Sequence, residues 1–147
     1  MAEWEKRKPA DVVVRRIPAV LREGWLADAH LYYTLELLGE ADRLHTEVFH
    51  SIHKGQLQTS NPDAVAAWAV KNGIDAQAWQ GAYTNNEVRN RVVRAMTLAQ
   101  NYDVRGTPAL IVDGRYQTST GMAGGLTGIP TVLDTLIDLA REQRKKP

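Results

Sequence analysis

The chain has 147 residues, enough for one domain with a sizeable core. Apolar residues make up 44% and charged residues 24%, ordinary globular values, and a net charge of +1 with scattered arginines gives no nucleic-acid or membrane-surface footprint. There is no cysteine, so no disulfide, thiolate metal site or thiol nucleophile can form within these residues.

No run approaches the roughly 18–20 apolar residues of a membrane-crossing helix. The first residues, MAEWEKRKP, are charged and lack an apolar h-region, so no secretion signal is expected in them. Residues 2–8 are helical in composition but stop at Pro9 after barely two turns, a length that is marginal unless packed. They read as the tail of a helix that begins elsewhere. The following DVVVRRIP, from Asp11 to Pro18, is β-branched and bounded by prolines, which predicts a strand over 12–17.

From Gly24 to Tyr102 the pattern is helical almost throughout. One helix is expected over Trp25–Leu38, ending at Gly39. A second spans Ala41–Lys54, with Leu44, Val48 and Ile52 on one face, and stops at Gly55. Asn61-Pro62 supplies an N-cap and a proline at N1 for a helix over Asp63–Asn72. A short helix follows over Asp75–Tyr83, built around Trp79. Thr84-x-x-Glu87 has the form of a capping box opening Glu87–Tyr102.

After the turn-forming Arg105-Gly106-Thr107-Pro108, two strands are expected at about 109–112 and 115–118, joined across Asp113-Gly114, a strong hairpin signal. Residues 119–128 form a Gly/Thr/Ser-rich loop. The last helix, Pro130–Lys145, is amphipathic, and its basic tail Arg141–Lys146 suits a helix C-terminus. A strand, a helical block of about 80 residues, a hairpin and a covering helix make an α/β sheet with a helical insertion.

Isolated candidates for chemistry are weak. Glu47, His50 and His53 lie near one helix face, but one such set lacks the second ligand-bearing helix of a bundle metal site, so they read as a solvated face. His30 and His45 read as partly buried histidines. Trp25, Trp68, Trp79 and the Tyr32-Tyr33 pair read as core. No nucleophile elbow or triad context is present.

The succession of a strand ending in Ile17-Pro18, a helical block holding the N-G-I-D turn at 72–75 with Trp79, then R-G-T-P-A, strand, D-G, strand and helix resembles the DsbA family of thiol:disulfide oxidoreductases. The resemblance covers essentially residues 4–145. It implies a thioredoxin-like sheet remnant of about three strands (10–20 plus 104–147) and an all-helical insertion (22–103) within one domain, 1–147. It also implies a cis bond before Pro108, in a loop that contacts an extended substrate peptide. The expected substrate-binding residues are therefore Arg105, Gly106, Thr107 and Pro108.

In that family the central strand and the C-x-x-C helix precede the region matched here, so the chain is expected to be a form truncated before them. It should have no catalytic residue, no metal, no cofactor and no thiol activity. Thr107 leaves oxidase-like and isomerase-like roles open. The implied partners are segments of substrate proteins, with no nucleic acid and no membrane span, and the implied compartment is the bacterial periplasm. A non-catalytic peptide-binding module, or a relative of the glutathione-dependent isomerases of the same architecture, is the alternative. Should the absent strand bury about four apolar side chains at roughly 1.5–3 kcal/mol each, its loss of about 6–12 kcal/mol rivals a whole domain's stability of about 5–15 kcal/mol. A homo-oligomer with a repaired or swapped sheet is expected for that reason.

Overall fold

In the computed structural model, which describes residues 2–145, the chain divides into two units. One is the stretch Ile17–Asn101; the other joins the residues up to Arg16 with those from Tyr102 onward.

The Ile17–Asn101 unit is helical. A 3-10 turn at Glu23–Trp25 leads into α2 (Leu26–Leu37), numbered after α1 (Ala2–Arg7) of the other unit. It is followed by α3 (Ala41–His53), α4 (Pro62–Lys71), α5 (Ala76–Tyr83) and α6 (Asn86–Asn101). The glycines that punctuate the sequence end these helices in the left-handed region, at φ 76° for Gly39, 67° for Gly55 and 86° for Gly73, where a side chain is strained. Asn61 caps α4, its side-chain oxygen accepting from the Asp63 and Ala64 amides, and Asp75 caps α5 by accepting from Ala78.

The expected capping box at Thr84 does not form. The Thr84 hydroxyl donates back to the Gln80 carbonyl at the end of α5, and Asn85 accepts from the Glu87 amide instead. Two adjacent cap-forming residues compete here, and the one that finishes α5 is unavailable to start α6.

α2 is buried on two sides, which accounts for its lack of a polar face. Leu31 and Leu35 join Leu44, Val65, Trp68 and Trp79 in one cluster, whereas Ala29 and Tyr33 join Val88, Val92 and Ala95 of α6 in another. The buried Ser51 is fully employed: Trp68 Nε1 donates to its oxygen at 3.0 Å, and its hydroxyl donates to Glu47 at 3.1 Å.

The other unit holds α1 (Ala2–Arg7), β1 (Ala109–Val112), β2 (Tyr116–Ser119) and α7 (Ile129–Arg144). β1 and β2 pair antiparallel with Ala109 opposite Ser119 and Val112 opposite Tyr116, so the second strand starts one residue later than expected. Asp113 and Gly114 both take positive φ, 55° and 69°, and the Arg115 amide closes the turn on the Val112 carbonyl. Trp4 from α1 packs with Ile129, Leu133 and Ile137 of α7, and Leu110 and Val112 lie against them.

The segment 12–17 differs from its expectation. It joins no sheet, and the sheet has two strands among the described residues rather than about three. Val12 and Val14 rest on the α7 cluster while Val13 is 77% exposed, so the period-two alternation is real. A ladder, however, needs a hydrogen-bonded neighbour, and no strand among the described residues is bonded to this segment.

Candidate functional site

The register of the hairpin decides what the loop before it faces. Side chains alternate along each strand, so Leu110, Val112, Tyr116 and Thr118 share the face that α7 covers. Ala109, Ile111, Gln117 and Ser119 share the other. Asp103 and residues 105–108 before β1, and residues 120–122 after β2, meet Ala109, Gln117 and Ser119 of that second face. Together they bound an open cleft of about 440 Å³.

One rim is the expected set: Arg105, Gly106, Thr107 and Pro108 all line the cleft and all are exposed. The Thr107–Pro108 bond is cis. Ahead of it, Asp103 sits at φ 47°, a region that Asp tolerates better than most residues. Arg105 grips its carboxylate through Nε, at 3.1 and 3.0 Å from the two oxygens. That hydrogen bond lowers the Asp103 pKa and raises that of Arg105, so both stay charged; as an open surface pair it orients the rim more than it stabilises the fold.

The floor and the far rim were not legible in the sequence. Ala109, Gln117 and Ser119 supply the floor, and Thr120, Gly121 and Met122 the opposite wall. The alternation of the strand pair, once its register is known, is the signal that finds Gln117 and Ser119. The wall is held by backbone bonds from Ala123 to the Ser119 carbonyl and from Gly125 to that of Thr120. Met122 stands 69% exposed on it. The cleft thus offers main-chain groups, hydroxyls, one amide, one ion pair and one flexible apolar side chain. It offers no nucleophile beside a base.

The other singled-out residues lie elsewhere. On α3, His45 and His53 flank the exposed Phe49, with ring centroids 5.0 and 6.2 Å from it. His45 is thus exposed rather than partly buried, because it falls on the solvent side of that helix. Glu47 accepts from Ser51, and among the described residues no group of three or more His, Asp or Glu converges as a metal site. Trp68 and Trp79 are core, Tyr33 is buried, and burial pushes its hydroxyl up to about 12. His30 is half-buried edge-on against Tyr83. An open depression between α4 and α5, floored by Trp79 with Lys71 at its rim, gathers no converging polar groups. No helix among the described residues is long and apolar enough to cross a membrane.

Comparison with known proteins agrees with this geometry. The DSBA-like thioredoxin domain matches residues 8–136. The chain is 34% identical over 138 residues to the thiol:disulfide interchange protein DsbA of Azotobacter vinelandii, covering 94% of this chain and 64% of that protein. To the protein of the same name from Bordetella parapertussis it is 36% identical over 141 residues, covering 95% and 67%. The chain therefore spans about two thirds of the length of these relatives. Among solved structures, that of Pseudomonas aeruginosa DsbA superposes with a TM-score of 0.89 at 30% identity, over 98% of this chain and 75% of that one. The oxidoreductase DsbA from Xylella fastidiosa gives 0.85 at 28% identity, over 96% and 75%. The chain belongs to the family of DSBA-like thioredoxin domains.

Proposed function

We propose that this chain captures extended segments of protein substrates in the cleft around Thr107 and Pro108, as the substrate-recognising part of a DsbA-like thiol:disulfide interchange system in the bacterial periplasm. The observation that carries the reading is the cleft itself, with the exposed run Arg105–Pro108 facing Ser119, Thr120 and Met122 across the open face of the hairpin. Exposed main chain at a sheet end suits hydrogen bonding to an extended guest. Met122 suits guests of varied side chain because its thioether adapts to irregular surfaces.

Thiolate attack requires a cysteine, and these 147 residues have none. In this reading the chain holds a peptide, and any sulfur chemistry comes from cysteines outside these residues. Residues 10–20 and 104–147 form the thioredoxin-like part and 22–103 the helical insertion of one domain, and the chain self-associates through its sheet.

The test is anisotropy of a dye-labelled, extended peptide titrated with the chain, alongside the variants Met122→Ala and Thr107→Arg. Saturable binding that weakens several-fold in both variants is expected, with insulin reduction no faster than in buffer. Absence of binding by the unaltered chain, or binding untouched by both substitutions, overturns the reading.

A further inference from the structure

We propose that Asn72-Gly73 is a self-modification site: Asn72 converts to aspartate or isoaspartate through a ring closed with the Gly73 nitrogen, and the C-terminal turn of α4 is the gate that holds the reaction back.

Glycine follows asparagine at this one place in the chain. The other asparagines, at 61, 85, 86, 90 and 101, precede proline, asparagine, glutamate, arginine and tyrosine. Gly73 alone offers a nucleophilic nitrogen with no side chain to crowd its approach, and Pro62 has no N–H to give up. The Gly73 nitrogen attacks Asn72 Cγ. The N–Cγ bond forms, the Cγ–Nδ2 bond breaks, and ammonia leaves with the Gly73 amide proton. Water then opens the cyclic imide. Cleavage at Cγ leaves aspartate; cleavage at the main-chain carbonyl leaves isoaspartate, in which the backbone runs through Cβ and Cγ.

The folded helix end opposes each part of that attack. Asn72 closes α4 at ψ 16°, which turns the Gly73 nitrogen away from Cβ, whereas ring closure needs the two eclipsed. The Gly73 N–H donates to the Val70 carbonyl at 3.0 Å and that of Ile74 to Ala69 at 3.1 Å, the paired bonds that finish a helix on a left-handed glycine, here at φ 86°. Asn72 Nδ2 donates back to the Trp68 carbonyl at 2.8 Å, which holds Cγ along the helix. Ile74 is buried with Trp68, Ala69 and Trp79 and anchors the turn. Gly73 itself is exposed, with open space beside it, so the opening of this one turn releases the reacting pair.

Asp113-Gly114 is the related pair in the chain, and its electrophile differs. The hydrogen bond from Arg144 holds the Asp113 carboxyl below its ordinary 3.8, and a carboxylate resists a nucleophile far more than an amide does. At Asn72 conversion is one-way. Isoaspartate lengthens the main chain by a methylene, so the Ile74 amide no longer reaches Ala69 and the gate cannot re-form. Either product sets a carboxylate against the carbonyl end of α4, where the helix dipole disfavours it.

Peptide mapping by mass spectrometry of the chain aged at mildly alkaline pH, folded and in urea, tests this. Residue 72 should convert before any other asparagine, with isoaspartate among the products. It should convert about tenfold faster or more in urea, a factor that corresponds to an opening free energy of about 1.4 kcal/mol. Ile74→Ala should quicken conversion of the folded chain several-fold and leave the rate in urea unchanged, while Asn72→Gln, whose longer side chain closes the ring poorly, should show none. The Gly73 and Ile74 amides should exchange hydrogen faster than those of Leu31 and Leu35, the mark of a local opening. An unconverted Asn72 in urea, equal rates folded and in urea, earlier conversion of another asparagine, or Gly73 and Ile74 amides as slow as those of Leu31 and Leu35 overturns the proposal, as does a folded Ile74→Ala chain that converts no faster. The urea comparison and the exchange use the unaltered chain, so they decide the matter even where Ile74→Ala fails to fold.

Discussion

The indole Nε1 of Trp4 donates to Oδ1 of Asp134 at 2.7 Å, joining α1 to α7 across 130 residues of sequence. Trp4 is 3% exposed, and its N–H is bonded to a carboxylate whose side chain is 44% exposed. Asp134→Ala should cost about 1.5–3 kcal/mol, the range for a hydrogen bond to a charged group, read as a lowered urea midpoint at unchanged slope. The same bond, followed by one from Arg7, holds the Asp134 carboxyl below its ordinary 3.8. A carboxyl lowered in the folded state contributes stability above its unfolded pKa and loses it as the pH falls through the folded value. The acid limb of the stability curve below about pH 4 should thus be shallower in Asp134→Ala than in the unaltered chain.

Thr118 is 1% exposed on β2, and its hydroxyl has no hydrogen-bond partner among the described residues. Thr118→Val keeps the shape and removes the stranded group, so it should stabilise by about 1 kcal/mol. Thermal unfolding followed by circular dichroism should show a raised midpoint; a lowered one would mean that a partner for the hydroxyl exists.

At Gly128 φ is −80°, a value any residue adopts, yet a Cβ there would lie 1.8 Å from the carbonyl oxygen of Ala123. The obstacle is main chain and cannot swing aside. Gly128→Ala should cost about 3 kcal/mol, at the upper end for overpacking, and should loosen the loop 119–128, seen as faster exchange of the Ala123 and Gly125 amides.

His30 has its Nδ1 buried without a partner among the described residues, and burial, followed by repulsion from Arg89, holds its pKa below the ordinary 6.5. The unfolded chain then binds the proton more readily than the folded one. Stability should decline as the pH falls below about 6.5 and level off once the folded-state pKa has been passed. His30→Phe, which keeps a ring against Tyr83, should remove that decline, as measured by urea unfolding at a series of pH values.

The helical unit was legible because its signals are local. Glycines at 39, 55 and 73 end helices through their own φ, and Asn61 reaches amides only two and three residues away. The Asp113-Gly114 turn is local in the same sense. What failed depends on neighbours. Val12–Ile17 has strand composition, but β propensity describes fit to an adjacent strand, and none among the described residues pairs with it. In the cleft, Arg105–Pro108 were named only because the family resemblance implied them, not by a local signal of their own. Gln117, Ser119 and Met122 came only with the register and with a loop folded by its own backbone bonds. The demand for glycine at 128 is likewise invisible until Ala123 is placed.

The placement of the tryptophans gives the chain an intrinsic optical label for each unit. Trp25, Trp68 and Trp79 belong to the helical stretch Ile17–Asn101, whereas Trp4 lies in the unit that carries the hairpin. With Trp25, Trp68 and Trp79 replaced by phenylalanine, all remaining indole emission comes from Trp4, whose burial and bond to Asp134 should shift its spectrum when the sheet-bearing unit opens. The converse variant, Trp4→Phe, leaves an emission that follows the helices alone. Denaturation of the two chains side by side would reveal whether one chain melts as one body or as two.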